Sequence, residues 1–415
     1  MKLTLTLPQV KNLLLAVQNL HTPPQKNARK ADVLASIQSM GALQIDTIHV
    51  VARSPYLVLW SRLGAYAPHW LEELLAEGAV FEYWSHAACF LPIEEFPLYR
   101  RFMLENRRGW GNNQAWLDAH PALVQDVIEQ IQNRGALRSA DFAPKNPAFK
   151  SDGWWDWKDE KIALDRLHTA GKLMVRARKN FQRIYDLTER VLPDWDDREA
   201  PSYETALATL TEKTLRSLGA APAVWVSDYF RLPKTGLDKR LQALMHQGRV
   251  QQIGVEGWDE PFYLHSDHRP LAEAAANGQL ESQITTLLSP FDPVIWDRKR
   301  TRALFGVDFS IECYLPAEKR KYGYFALPLL HRGTLAARLD AKAHRKEGLF
   351  EIRSFHLENG TILNDRLISE TAASLQACAA WHQTPQVILG AQIPAPLRHE
   401  LNRALGNHHS DEGTQ

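Results

Sequence analysis

The sequence has little cysteine. Cys89, Cys313 and Cys378 are the three cysteines in 415 residues, and they are far apart and in apolar surroundings. Neither a disulfide framework nor a Cys-x-x-Cys metal site can be built from cysteines with this spacing, and such usage is typical of the reducing cytoplasm. We therefore expect a cytoplasmic protein.

Long hydrophobic runs and an excess of charge of one sign are also missing. No apolar run reaches the roughly 18 residues of a membrane span. Polar residues interrupt the apolar pattern at the N-terminus, which predicts an amphipathic helix rather than a signal peptide. The 49 basic and 48 acidic residues leave a net charge of +1, which excludes a uniformly basic coat protein. With 45% hydrophobic residues, the chain can build packed cores in roughly two to four domains.

Most standard catalytic signatures are absent from the sequence. It contains no GxxxxGK[ST] phosphate loop, GxGxxG dinucleotide loop, GxSxG nucleophile turn or HExxH zinc helix. His356 and Glu358 could begin a zinc deaminase signature, but its Pro-Cys-x-x-Cys partner is missing. We therefore expect neither a metal nor another cofactor. The acidic segment 194–197 is an alternative metal site that would suit a nuclease, although acidic loops are usually only solvated.

A weak internal repeat organises the chain before its β-rich end. Three times, a helix with periodic apolar residues runs into a glycine, at Gly78, Gly171 and Gly248, and a stretch of alternating residues follows. Glycine is preferred where a left-handed cap ends a helix, and alternation is typical of strands. Helix, glycine and hairpin in this order predict the second half of a winged-helix unit. The alternative is that this pattern is common in any α+β protein.

These patterns predict an α+β protein of three tandem winged-helix units followed by a small β-barrel-like domain. The winged-helix units are expected at 1–115, 116–200 and 201–284. In the last domain, 285–405, the chain becomes rich in alternating and aromatic segments separated by turn signals, and it closes with a helix near 368–382. We expect this domain to contact DNA.

Basic residues are concentrated in the β-rich region. Residues 298–353 hold 13 Lys+Arg and 6 Asp+Glu, and a further basic run lies on the second hairpin. Such clusters on a neutral chain favour phosphate contacts, and the hairpin of a winged helix often contacts the DNA backbone. A solvated surface is the alternative. The candidate DNA contacts are Arg53, Lys179, Arg183, Lys299, Arg300, Arg320, Lys321, His331 and Arg332.

The segment Gln44-Ile45-Asp46 is a candidate for chemistry. Its apolar neighbours, among them Ile48, predict a strand, on which residues two apart share a face, so that Gln44 and Asp46 would point together while Ile45 points into the core. On a helix the two polar side chains would diverge by roughly 200°. A lone Gln-x-Asp is a weak motif, and a solvated pair is the alternative.

Several long segments carry a family resemblance. They are LQIDTIHVVARSPYLVLWSRLG, GWWDWK with NFQRIYDLTERVLPDWDD, and LLSPFDPVIWDRKR with ECYLPAEKRKYGYFALPLLHRG. In these segments, which follow in order over nearly the whole chain, the sequence resembles the YcaQ-like branch of the AlkZ-type winged-helix DNA glycosylases. The resemblance implies three winged helices and a β-barrel curved around duplex DNA, without a cofactor. It also implies removal of N7-alkylated guanines and unhooking of interstrand crosslinks.

The resemblance further implies the catalytic residues. The AlkZ branch carries Gln-apolar-Gln, whereas this sequence has Gln-apolar-Asp, as the YcaQ-like branch does, so the catalytic pair falls on Gln44 and Asp46 and a broader alkylation-repair role is favoured. An N7-alkylguanine is already a cationic leaving group, and a carboxylate can stabilise the oxocarbenium-like sugar and accept a proton from water. Asp46 suits that role, and Gln44 suits holding the water or the sugar. No Schiff-base lysine stands out, which predicts a monofunctional enzyme that leaves an abasic site.

The main alternative function is a winged-helix transcription regulator that binds DNA without catalysis. Composition and charge do not separate the two functions. In either case the expected partner is double-stranded DNA, which for the glycosylase contains an alkylated or crosslinked guanine. We expect no membrane partner, a monomer because DNA would be engaged asymmetrically, and a cytoplasmic protein that associates with the nucleoid during repair.

Overall fold

The computed structural model describes residues 3–24, 27–109, 112–142 and 159–407. The tryptophan-rich run 153–158, which is part of the segments that carry the resemblance, lies outside the described residues. Within the described ranges, no helix combines the length and the apolar composition that a membrane span needs.

Two compact units of mixed α and β structure make up the chain. The first combines residues 1–67 with 211–415, and the second spans 68–210. The elements of the first unit's N-terminal part are β1 (Thr4–Leu5), α1 (Leu7–Val17), α2 (Lys30–Met40), β2 (Leu43–Gln44) and α3 (Ser54–Leu63).

The second unit contains two hairpins among short helices. Its elements are α4 (His69–Ala76), β3 (Val80–Trp84), β4 (Ala88–Pro92), α5 (Phe96–Leu104), α6 (Asn113–Ala119), α7 (Pro121–Arg134), α8 (Asp159–Thr169), β5 (Leu173–Lys179), β6 (Gln182–Leu187) and α9 (Thr188–Val191). Short 3-10 helices lie at Ile93–Glu95, Ser139–Asp141 and Asp197–Glu199.

The long helix α10 (Tyr203–Leu218) leads back into the first unit. The elements that follow are β7 (Ala220–Pro222), α11 (Ala223–Tyr229), α12 (Leu237–His246), β8 (Val250–Val255), β9 (Trp258–His265), α13 (Arg269–Ala276), β10 (Thr285–Leu287), α14 (Arg298–Phe305), β11 (Ala326–His331), β12 (Thr334–His344), β13 (Leu349–Leu357), α15 (Asp365–Trp381), β14 (Gln386–Leu389) and α16 (Ala395–Leu405). Two further 3-10 helices lie at Ser266–His268 and Ala317–Lys319.

The predicted succession of helix, glycine and hairpin is confirmed at all three places. The helices α4, α8 and α12 end just before Gly78, Gly171 and Gly248, and the hairpins β3–β4, β5–β6 and β8–β9 follow. All three glycines have positive φ, at 75°, 67° and 70°. The residue after each glycine donates its backbone N–H to a carbonyl five residues back, for example Lys172 to Leu167 at 2.9 Å. This is the Schellman cap, which requires a left-handed residue that glycine adopts without strain.

Two sheets form the framework of the first unit. Strands β1, β8, β9 and β7 lie side by side in this order, with β1 parallel to β8. The other sheet has the order β10-β11-β12-β13-β14, in which β14 alone runs parallel to its neighbour. Its register shifts between Leu329 and Leu330 and between Asp340 and Ala341. Such irregularities increase local twist and bend a strand, and this sheet is a curled half-barrel, in the region where the sequence predicted a β-rich domain.

Candidate active site

The segment that carries Gln44 and Asp46 is a short strand followed by a turn. The strand β2 covers Leu43–Gln44, and no regular structure follows until α3 begins at Ser54. The sequence predicted a longer strand, and the reason for the difference is the side chain of Asp46: its Oδ1 accepts the backbone N–H of Ile48 at 2.8 Å. Aspartate commonly bends a chain in this way. Ile45, which was expected to point into the core, is half-buried.

The end of this segment is held against the half-barrel sheet. The backbone N–H of Ala343 in β12 donates to the carbonyl of Val50 at 2.9 Å, and the Arg345 guanidinium donates to the carbonyl of Val51. The hydroxyls of Ser54 and Ser289 are 2.9 Å apart and buried. Because the chain is fixed directly after the turn, the backbone of Asp46 is held close to a rigid sheet rather than in a free loop.

Asp46 is a half-buried carboxylate with one oxygen available. Its Oδ1 is engaged by Ile48, and its Oδ2 has no hydrogen-bond partner among the described residues. Burial raises the pKa of Asp46 above its usual value of 3.8, and the Ile48 N–H partly opposes this shift. A raised pKa makes the carboxylate a better proton acceptor than a solvated aspartate.

Gln44 lies two residues before Asp46, at the end of β2, and it is also half-buried. Within the described part of the chain, its side-chain amide makes no hydrogen bond. A half-exposed amide without a protein partner can bond to water or to a ligand. Gln44 and Asp46 are therefore two half-buried polar side chains, two residues apart, of which the Gln44 amide and the Asp46 Oδ2 have no hydrogen-bond partner among the described residues.

Four basic side chains lie at or near the turn after Asp46. Partial desolvation and the charges of Arg345 and Arg53 together lower the pKa of His49 to about 4. Burial likewise lowers the pKa of His382 to about 4, with additional effects of Arg345 and His49. His49 and His382 are therefore neutral at physiological pH, while the two arginines supply positive charge. Arg53, which the sequence proposed as a DNA contact, thus lies in the same charged neighbourhood as Arg345.

Cys313 and Tyr314 are near enough to Asp46 to sense its charge. Burial raises the pKa of the Cys313 thiol, and the Asp46 carboxylate raises it further. Partial desolvation raises the pKa of the Tyr314 hydroxyl, followed by the effects of Cys313 and Asp46. His49, Tyr314 and His382 were not predicted from the sequence, and Arg345 was predicted only as part of the basic region 298–353. His49 is three residues from Asp46, whereas Tyr314, Arg345 and His382 are more than 260 residues away, so no local pattern links these three to Asp46.

The other basic candidates of the first unit differ in their surroundings. Lys299 is exposed in the first turn of α14, and Lys321 is exposed with its Nζ 4.9 Å from the centre of the Tyr322 ring. Arg320 is half-buried and donates through Nε to the Leu315 carbonyl at 2.9 Å.

His331 and Arg332 occupy the tight turn between β11 and β12, as the sequence predicted. The Nδ1 of His331 lies 2.9 Å from the hydroxyl of Thr285. Arg332 is exposed, has a positive φ of 45°, and is paired with Glu370 at 3.3 Å.

Arg300 does not have the exposed position that a DNA contact needs. Its residue exposure is 0%, its Nη2 donates to the Pro293 carbonyl at 2.5 Å, and its guanidinium lies 5.7 Å from the centre of the Tyr229 ring. A buried guanidinium cannot reach a phosphate without leaving these partners. This corrects the interpretation of the Arg298-Lys299-Arg300 cluster, in which the charge of Arg300 belongs to the interior.

The second hairpin, in the other unit, shows the same contrast. Lys179 is exposed at the end of β5. The Arg183 side chain is 21% exposed and is paired with the buried carboxylate of Glu82 at 2.9 Å and with Asp165 at 3.3 Å. Arg178 completes the ion-pair group around Glu82. Arg183 therefore neutralises the buried Glu82 carboxylate, and its guanidinium is occupied by ion pairs within the protein.

The acidic segment 194–197 is engaged by arginines. Asp197 accepts from Arg100 at 2.6 and 2.9 Å, and Asp196 is paired with Arg198. In the portion of the chain that the structure describes, no three histidine, cysteine or acidic side chains are grouped so as to hold a metal ion. The ion pairs leave the segment poorly suited to a metal-dependent nuclease.

Both the sequence and the fold are similar to known DNA glycosylases. Residues 37–381 match the family model described as DNA glycosylase AlkZ-like, and this range includes Gln44 and Asp46. The structure is similar to the Streptomyces sahachiroi DNA glycosylase AlkZ with a TM-score of 0.62 and 15% sequence identity, over 93% of this chain and 100% of that chain. At this identity the structural likeness concerns the fold. The family match spans most of the chain, and the protein is therefore a member of the AlkZ-like DNA glycosylase family, whose members act in DNA repair.

Proposed function

We propose that the protein hydrolyses the N-glycosidic bond of N7-alkylated guanine in double-stranded DNA. We further propose that it unhooks interstrand crosslinks formed through that atom and leaves an abasic site without cutting the strand. The observation that supports this function is the half-buried Asp46 carboxylate, whose Oδ2 has no partner among the described residues, two positions from the unengaged amide of Gln44. Family membership supports the glycosylase activity, and the substrate and the residue roles are our proposal.

In the proposed reaction, Asp46 acts on the sugar and on water. The bond between C1′ and N9 breaks, and its electron pair neutralises the cationic purine, so the leaving group needs no general acid. The carboxylate stabilises the positive charge that develops on the sugar and accepts a proton from the water whose oxygen bonds to C1′. Its raised pKa favours this proton transfer.

Gln44 has the complementary role of positioning. Its amide carries two N–H donors and a carbonyl acceptor, so it can orient the attacking water or hold a sugar oxygen. Because the fold uses none of this capacity within the described residues, substrate and water can use all of it. The nearby Arg53 and Arg345 would attract the phosphates on either side of the lesion.

We also propose the domain organisation on which DNA binding rests. The three helix-glycine-hairpin segments would be the second halves of winged helices at 1–115, 116–200 and 201–284, and the curled sheet would belong to a DNA-contacting domain at 285–405. We propose that the protein binds duplex DNA as a monomer in the cytoplasm, at the nucleoid during repair.

The DNA contacts that remain in the proposal are the basic residues that are neither fully enclosed nor paired with a buried carboxylate. Arg183 and Arg300 are removed from the proposal because each is held by partners inside the fold. The retained residues are Arg53, Lys179, Lys299, Arg320, Lys321, His331 and Arg332.

The test uses a duplex that contains a single N7-methylguanine, incubated with the full chain in EDTA and then treated with hot alkali to cleave abasic sites. We expect the wild type to produce cleaved strand and Asp46→Asn to produce almost none, while the two proteins bind the duplex equally. Asp308→Asn is the matched control, because Asp308 is an exposed aspartate of the same unit. It should cleave like the wild type.

Further arms of the same experiment separate the finer claims. A duplex with a defined crosslink tests unhooking, and trapping with borohydride tests for a Schiff-base intermediate, which we expect to be absent. Binding without any alkali-sensitive product would instead support a non-catalytic DNA-binding regulator. Loss of binding in Asp46→Asn would assign Asp46 a structural role and contradict the proposed mechanism.

A further inference from the structure

The loop between α14 and β11 presents an exposed aromatic side chain. Tyr314 is 77% exposed, and the adjoining Leu315 is 41% exposed. A ring with this exposure is accessible to a ligand that binds at the neighbouring candidate site.

Hydrogen bonds within this loop hold its backbone in place. The buried carboxylate of Glu312 accepts the backbone N–H of Tyr322 at 2.8 Å, which ties the two ends of the loop together. Within it, the N–H of Leu315 donates to the Glu312 carbonyl at 2.9 Å, and the Nε of Arg320 donates to the Leu315 carbonyl at 2.9 Å. The hydrogen bonds of Glu312 and Leu315 therefore hold the backbone on either side of the Cys313–Tyr314 pair.

The base of the loop is equally well fixed. Gly323 approaches Asp340 so closely that an added Cβ would lie 2.4 Å from the side chain of that residue, and its φ is +119°. The Arg338 guanidinium lies 3.9 Å from the centre of the Tyr322 ring, and Arg320 lies 4.9 Å from that of Tyr324. Two of the loop's three tyrosines thus have cationic partners, and Tyr314 is the one that is mostly exposed.

Tyr314 is also near enough to Asp46 for the two groups to interact electrostatically. The carboxylate of Asp46 contributes to the raised pKa of the Tyr314 hydroxyl, after partial desolvation and the effect of Cys313. A flat, exposed ring near the Asp46 carboxylate suits one kind of contact with DNA, which is stacking on the face of a base.

We propose that Tyr314 stacks on a nucleobase next to the lesion and thereby holds the damaged nucleotide against Asp46. This inference rests on the proposed function and identifies a substrate-positioning residue for it. Stacking recognises the face of any base, so Tyr314 would contribute to affinity and placement but not to the choice of neighbouring sequence.

The test compares Tyr314→Ala, Tyr314→Phe and the wild type on a duplex with one N7-methylguanine, in single-turnover reactions at enzyme concentrations below saturation. We expect Tyr314→Ala to be slower by roughly tenfold or more, the range expected for loss of one stacked base. Tyr314→Phe, which keeps the ring, should stay within about twofold of the wild type. The matched control is Ile362→Ala, because Ile362 is 79% exposed in the same unit, and it should react like the wild type.

A binding measurement keeps the inference testable without catalysis. With 2-aminopurine as the neighbour of the lesion, stacking by Tyr314 changes the fluorescence of the probe on binding; the change should persist in Tyr314→Phe and be lost in Tyr314→Ala. If the wild type is inactive, the proposed function fails, and this fluorescence still decides whether Tyr314 stacks. An alanine variant that matches the wild type in rate and fluorescence would overturn the inference, as would a phenylalanine variant as impaired as alanine.

Discussion

The guanidinium of Arg62 donates two hydrogen bonds to the carboxylate of Asp292, at 2.7 and 3.0 Å, and both side chains are completely buried. Arg62 lies in the last turn of the helix α3, which follows the segment that carries Asp46. Gln18 accepts a further hydrogen bond from Arg62 at 3.2 Å. A residue far along the chain thus fixes the helix that supports the candidate active site.

We expect Arg62→Met to lower the free energy of unfolding by about 3–5 kcal/mol, because it leaves the Asp292 carboxylate buried without its partner. The measurement is urea denaturation of the full chain. The control is Asp308→Asn, which breaks a pair with Arg302 whose side chains are 75% and 72% exposed, and it should cost less than about 1 kcal/mol. Equal losses of unfolding free energy in the two variants would contradict a larger contribution from the buried ion pair.

The glycosylase rate should fall in acid at a higher pH than a solvated aspartate would cause. Burial raises the pKa of Asp46 from 3.8, and the proposed reaction needs the carboxylate form. As the pH falls through the raised pKa, the active form is lost and the single-turnover rate decreases. The check is a pH profile on N7-methylguanine duplex, within the range where the fold is intact. If the residual activity of Asp46→Asn decreased in acid over the same pH range as that of the wild type, a group other than Asp46 would cause the decrease.

Lys299 and Arg300 should behave differently although they are adjacent. Lys299→Ala removes an exposed charge, so the dependence of log affinity on log salt should become less steep by about one unit, with unchanged stability. Arg300→Ala removes a fully buried side chain, so it should lower the unfolding midpoint and leave the salt dependence of the folded protein unchanged. Affinity at several salt concentrations and thermal unfolding measure the two effects. A smaller salt slope for Arg300→Ala would return Arg300 to the DNA interface.

Asp228 should make the protein less stable as the pH rises. Burial raises the pKa of Asp228 to about 6, and the hydrogen bond to Asp297 adds to the shift. The folded state therefore favours the protonated form, and this contribution to stability is present below the usual pKa of 3.8 and is lost as the pH rises through about 6. Asp228→Asn cannot ionise, so its stability relative to the wild type should increase between about pH 4 and about pH 6 and stay constant above that range. A difference that does not vary with pH would contradict this assignment.

The parts of the structure that local chemistry determines were predictable from the sequence. Gly78, Gly171 and Gly248 end their helices as expected, because a left-handed cap needs only the glycine and the turn before it. The curled sheet follows from alternation in its own strands. The family match confirms the resemblance found in the long segments, whereas the roles of Gln44 and Asp46 stay predictions.

Features that depend on distant contacts were not predictable. Nothing in the cluster of charges around Arg300 indicates that this residue packs beside Tyr229. The environment of Asp46 includes Tyr314 and Arg345, which only the folded chain brings near. The short strand β2 was overestimated because hydrophobic alternation favoured a strand, while the hydrogen bond from Ile48 to Asp46 bends the chain.

The orientation of the Asp46 carboxylate is set within three consecutive residues, because its Oδ1 accepts the backbone N–H of Ile48. An aspartate side chain has the length needed to accept the N–H two residues on, whereas glutamine carries its carbonyl one methylene further out and does not favour this turn. Asp46→Gln would therefore remove both the carboxylate and the hydrogen bond that shapes this turn.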